Sequence, residues 1–183
     1  GAGLQYPARG TLPGDARALM QRASESQTRL FRAITGATAE LLPDTHGVLH
    51  PELETPELCS LTMGLPVSEG GFGWTHPVAL SPIAHAAKVV DTLHLIRASE
   101  LNEYVPKPSQ WGECSITAYR VAYRTLRYVL ALEAFRRGPR YHREEWERVS
   151  AKLLMPDGSV DFDALEDCGD HHLQSVLMAA VHP

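Results

Sequence analysis

Seven arginines (Arg120, Arg124, Arg127, Arg136, Arg137, Arg140 and Arg143) lie in one short stretch with a single acid, Glu133, in a chain whose formal net charge is −5. Arginine suits one kind of chemistry above others. Its planar fork grips phosphate or carboxylate through two parallel hydrogen bonds, and it stacks on flat rings. Charge segregated this way serves a partner surface more readily than it serves folding. Arg120, Arg124 and Arg127 stand at i, i+4 and i+7, so a helix through them presents all three on one face. Tyr119 and Tyr123 interleave with them, as aromatic rings do in proteins that hold single-stranded nucleic acid. The stretch therefore predicts an anion- or partner-binding strip made of these seven arginines with Tyr119 and Tyr123, with Arg120, Arg124 and Arg127 lining an accessible groove. The competing reading is internal pairing, since Glu144, Glu145 and Glu147 follow closely.

A second cluster, Cys168, Asp170, His171, His172 and His182, is of the types that bind zinc. Zinc needs three or four ligands converging on one point. On a helix, Cys168 with His171 or His172 supplies two, while His182 lies about 15 Å further along the axis. One pair is insufficient, so no metal site is assigned. His85 and His94 fall on opposed faces of their helix, and Asp91 can hydrogen-bond His94 as an ordinary structural contact. Nucleophile elbow, His-Glu-x-x-His and phosphate-cradling glycine loop are all absent from the sequence. No catalytic residue and no cofactor are assigned.

The elements that must position these residues read as mainly α, roughly a five-helix bundle. Residues 1–13 form a flexible N-terminal arm, and 14–183 a single α-helical domain. A first helix runs from about Asp15 to Leu42, with Leu19, Ala23, Leu30, Ile34, Ala37 and Leu41 inward. A long Pro/Gly-rich irregular segment covers about 43–79. Ser81 as N-cap and Pro82 at the first helical position start a second helix that reaches Tyr104. A third spans Glu113–Arg137, with Val121, Tyr128, Leu132 and Phe135 packed on one side of the arginines, and Gly138-Pro139 stops it. Tyr141–Leu154 is a short charged helix. After a turn at Pro156-Asp157-Gly158-Ser159, the last helix covers Phe162–Val181, its acidic start matching the helix dipole.

Three stretches resemble known families. Pro156–Asp163 resembles the second half of an EF-hand loop, but Leu153, Met155 and Ala164 occupy positions that need oxygen ligands, so the segment reads as a turn. Asp170-His171-His172 resembles the triplet of the Asp-His-His phosphoesterases, without the α/β context and further acidic motifs of that family. Leu61–Gly73, with Gly64-Leu65-Pro66-Val67 and Glu69-Gly70-Gly71-Phe72-Gly73, resembles a loop in the N-terminal helical domain of acyl-CoA dehydrogenases. That likeness covers about a dozen residues, and no flavin-contacting motif or catalytic glutamate carries over.

With 183 residues and 44% apolar composition, the chain can bury a sizeable core in one domain. Three scattered cysteines, Cys59, Cys114 and Cys168, argue against a disulfide framework and for an intracellular, reducing compartment or a virion interior. No apolar run reaches the length of a membrane span. The beginning at Gly1-Ala2-Gly3 reads as a processed end, an excised domain or an expression scar.

These features together lead to an expected non-enzymatic, self-associating α-helical assembly or binding protein of the coat, nucleocapsid or tegument kind. Its arginine strip would engage nucleic acid or an acidic partner. The alternatives are a regulatory adaptor or effector docking an acidic protein segment, and a helical metal-dependent hydrolase built on Cys168, His171 or His172.

Overall fold

In a computed structural model, the structure describes residues 11–35, 77–97, 99–169 and 172–181. The protein is mainly α, and no strand occurs among the described residues. Residues 1–10 of the N-terminal arm, residues 36–42 of the expected first helix, most of the Pro/Gly-rich segment with its Leu61–Gly73 stretch, and Asp170, His171 and His182 lie outside them, while Pro13 of the arm already begins a helix. The helices are α1 (Pro13–Thr35), α2 (Pro77–Arg97), α3 (Thr117–Ala131), α4 (Glu133–Arg137), α5 (Arg143–Leu153) and α6 (Leu173–Val181). Turns of 3-10 helix cover Glu100–Tyr104, Pro108–Gln110 and Asp163–Cys168.

The chain divides into two compact units. One holds Arg17–Ala79, the other Ala2–Ala16 with Leu80–Pro183. In the first, α1 is the described element, and its buried side chain is Met20 rather than Leu19, which is 49% exposed. Leu30 is exposed as well. Ala16, the last residue of the second unit's N-terminal part, is buried too.

In the second unit one core runs through every helix. Ile83, Ala86, Val90 and Leu93 of α2 join Ala122, Leu126, Val129 and Leu130 of α3, with Phe135, Val149, Leu153, Leu165, Leu173 and Leu177. α2 starts one turn earlier than the Ser81-Pro82 signal suggests. Pro77 is itself an acceptable first helical residue, and Pro82 so near the N-terminus forfeits little of the hydrogen-bond ladder. Ser81 is buried instead of capping. α2 also stops at Arg97, short of Tyr104, which ends a 3-10 turn.

The third helix starts at Thr117 rather than Glu113 and is broken near its C-terminal end. Leu132 is extended (φ −62°, ψ 138°) and separates α3 from α4, where a continuous helix was expected. Burial periodicity supplies the reason. Leu126 and Leu130 are buried, so an unbroken helix would carry Glu133 and Arg137 into the core on the same face and leave Phe135 outside. The break reverses this. Phe135 is fully buried, its carbonyl accepts from Trp146 Nε1 at 2.7 Å, and Glu133 pairs with Arg137 in solvent.

Gly138 ends α4 at φ +84°, a conformation favouring glycine, and an added Cβ would lie 2.5 Å from Arg143 Nη1 and 3.0 Å from Trp146 Cζ3. The expected stop is therefore favoured by the backbone conformation, and the Trp146 ring leaves little room for a side chain there. The Pro156–Ser159 turn is also present. Asp157 Oδ1 accepts from Ser159 N at 2.9 Å, Gly158 adopts φ +80°, and Leu154 bridges Val160.

The last expected helix is two pieces. Asp163–Cys168 is 3-10, Gly169 ends it, and α6 follows. In a 3-10 turn residues i and i+3 eclipse. Leu165 and Cys168 thus enter the core together, while Asp163 and Glu166 form a second row. The acidic start expected for the helix belongs to this turn, and α6 has no acid in its first turn.

His85 is buried on α2, with Nε2 3.3 Å from the Ala118 carbonyl, to which the neutral ring donates. Burial lowers its pKa below the usual 6.5, against weaker support from the Ala118 and Thr11 backbones. The unfolded chain therefore takes up this proton first. Stability from His85 is complete above about pH 6.5 and is lost as pH falls below it through the folded value. The melting temperature should fall on acidification through this window, and His85→Gln should flatten that fall; an unchanged slope would contradict the assignment.

Candidate anion-binding face and groove

Arg120, Arg124 and Arg127 are all exposed on α3, opposite the buried row Ala122, Leu126 and Val129. None of the three forms an ion pair among the described residues. Arg120 donates only to Thr117 Oγ1 at 3.5 Å. Among the described residues no carboxylate pairs with this row, and on α5 Glu147 is taken by Arg143 while Glu145 lies 4.0 Å from His142.

The remaining arginines are arranged differently. Arg137 pairs with Glu133, and Arg136 is exposed beside it. Arg143 is held by Glu147 at 3.1 Å, by the Arg137 carbonyl and by the Trp146 ring, whose centroid is 4.7 Å away. Arg140 lies 6.0 Å over the Tyr141 ring. Among the described residues the seven-arginine strip therefore resolves into a row on α3 without ion pairs and a group around the α4–α5 turn in which Arg137, Arg140 and Arg143 have partners. Exposed pairs of this sort contribute at most about 1 kcal/mol, but they do occupy the guanidinium donors.

The interleaved tyrosines also separate. Tyr119 stacks on fully buried Trp111, centroids 5.1 Å apart and planes 17° from parallel. Burial raises its pKa, with the Cys114 thiol adding to the effect and Arg97 opposing it. Tyr123 packs at 4.9 Å on Phe162. Both rings serve the fold on at least one face. The ring the sequence reading placed among packed residues, Tyr128, is instead 67% exposed. It stands at i+4 from Arg124, a spacing that already placed it in the cationic row.

Between α3 and residues 97–116 lies a groove of about 1110 Å³. Arg124 and Arg127 form part of one wall, with Lys107, Tyr104 and Ile116 among the other lining residues. Arg120 and Tyr128 are not part of it. The wall is braced from behind. Arg97 donates to Asn102 and to the Val105 carbonyl and pairs with Glu166, while Asp163 Oδ1 accepts from Ser109 N at 3.0 Å. That hydrogen bond is the main cause holding the Asp163 carboxyl below its usual range. The 3-10 row of Asp163 and Glu166 is what lets one turn hold both points. Of the three arginines expected to line a groove, Arg124 and Arg127 do so and Arg120 does not; the facing wall was not legible in sequence, because its residues are brought together only by tertiary contacts.

Of the C-terminal cluster, Cys168 and His172 are among the described residues, and Asp170, His171 and His182 are not. Cys168 is buried, its thiol donating to the Ala164 carbonyl at 3.4 Å, and His172 lies beyond the end of the 3-10 turn. No group of three His, Cys, Asp or Glu residues converges among the described residues. No helix there is long and apolar enough to cross a membrane. Comparisons with known protein families, curated proteins and solved structures find no match to this chain.

Proposed function

We propose that this chain is a non-enzymatic α-helical binding protein whose arginine row on α3 docks an anionic partner surface. Nucleic acid and acidic protein are the two sources of such a surface. The observation that carries the reading is the exposure of Arg120, Arg124 and Arg127 together, with no internal carboxylate on any of them among the described residues. Three guanidinium groups on one helix face raise the local potential even where the whole chain is acidic. Tyr128 adds a ring beside them for stacking or apolar contact. A role in a self-associating assembly of the coat, nucleocapsid or tegument kind, inside a cell or a virion, is consistent with this surface and belongs to the same proposal.

Anisotropy of a labelled single-stranded oligonucleotide and of polyglutamate, each across a salt series, tests it. Binding of at least one, weakening steeply as salt rises, is the expected result, since anion docking releases or displaces counterions. No binding of either at low salt would overturn the reading.

A further inference from the structure

We infer that the groove beside α3 takes an acidic peptide segment of a partner protein, one that carries an aromatic or aliphatic side chain among its carboxylates. The inference rests on the anion-docking reading and names the partner for the part of the face that is concave. Its volume, about 1110 Å³, exceeds the range of roughly 300–1,000 Å³ usual for small-molecule sites and suits a short length of chain. Lys107, Arg124 and Arg127 supply exposed cations with no ion-pair partner among the described residues. Clusters of this kind read carboxylates or phosphates on peptides.

Two further features choose the peptide. Glu103 and Glu113 also line the groove. A continuous string of phosphates would meet repulsion there, whereas a peptide has backbone N–H groups to donate to both carboxylates. The lining also holds large apolar surface left in water. Tyr104 is 79% and Ile116 is 46% exposed. Exposed aromatic and branched side chains next to arginine are the composition of interface anchors, and they match an apolar side chain on the ligand rather than a sugar-phosphate backbone.

The test uses the full chain and three labelled ligands: a peptide of Asp and Glu interrupted by Phe, the same peptide with Ser for Phe, and an oligothymidylate of matched charge. The Phe peptide should bind about tenfold more tightly than either of the others. Lys107→Glu and Tyr104→Ala should each weaken it about tenfold, while Arg148→Glu, an equal charge change on α5, should alter it less than about twofold. Circular dichroism confirms that each variant is folded. Equal binding of the Ser peptide, preference for the oligothymidylate, or a Lys107→Glu effect no larger than that of Arg148→Glu would overturn the inference and leave anion docking standing. Failure of all three ligands at low salt would remove both.

Discussion

Reversing two charges on α3, Arg124→Glu with Arg127→Glu, should reduce affinity for a single-stranded oligonucleotide by about a hundredfold at low salt. Each lost phosphate contact corresponds to roughly 1–1.4 kcal/mol, about tenfold. The slope of log affinity against log salt should fall by about 1.4, near 0.7 for each contact on a single strand. Fold and stability should change little, because both side chains are exposed and neither contributes an ion pair among the described residues. The same change at Arg137 or Arg143 should weaken binding less. Arg137 is held by Glu133, and Arg143 by Glu147 and Trp146. Titrating the three variants by anisotropy ranks them directly. If Arg137→Glu matched the α3 double variant, the row on α3 would not be the docking face. If no variant changed the slope, the arginines would not contact phosphates at all.

The largest effect on stability is expected at Trp111. Trp111→Ala should destabilise the protein by about 3–5 kcal/mol, the range for removing a buried aromatic side chain. Against a total of roughly 5–15 kcal/mol, that leaves a marginal or unfolded chain. The side chain is fully buried, stacks on Tyr119, and donates from Nε1 to the Pro106 carbonyl at 3.0 Å. Its neighbour Gly112 lies against Tyr123, where an added Cβ would sit 2.9 Å from the ring. Trp111 thus joins the segment carrying Lys107 to the first turns of α3, and one side chain supports both walls of the groove. Trp111→Phe should be milder, about 1–2 kcal/mol, since an aromatic ring is retained while the hydrogen bond to Pro106 is lost. Urea titration followed by near-ultraviolet dichroism measures both. Equal stability of Trp111→Ala and the native chain would contradict the core described here.

The two results are linked. Apart from the α3 wall, the groove residues come from a stretch that has little α-helix of its own, so their geometry depends on the Trp111 anchor and on the Arg97–Glu166 and Asp163–Ser109 braces. A destabilised anchor should therefore impair groove ligands before it impairs the α3 row, which is carried by a regular helix. Segments held by few contacts open first.

Several features were legible because they depend on neighbours in sequence. Helical periodicity located α2, α3 and α5, Gly138-Pro139 stopped α4, and Asp157-Gly158 marked a turn. The spacing of Arg120, Arg124 and Arg127 placed them on one face of a helix, since 3.6 residues per turn is a local property.

What tertiary structure decided was every choice between competing local signals. Pro77 and Pro82 both offer a helix start, and helical propensity continues smoothly through Leu132. The chain breaks there because burying Phe135 in place of Glu133 and Arg137 outweighs one interrupted turn, a comparison that involves residues far away in sequence. Leu165 and Cys168 are likewise buried together, in a 3-10 turn where the periodicity alone reads as part of the last helix. Which arginines stay unpaired follows from where Glu133 and Glu147 point, and which tyrosines stay accessible follows from where Trp111 and Phe162 lie. Sequence by itself determined a helical chain with a concentrated cationic stretch. The packed core decided how much of that charge faces outward, because burial and pairing are settled by partners that only folding brings together.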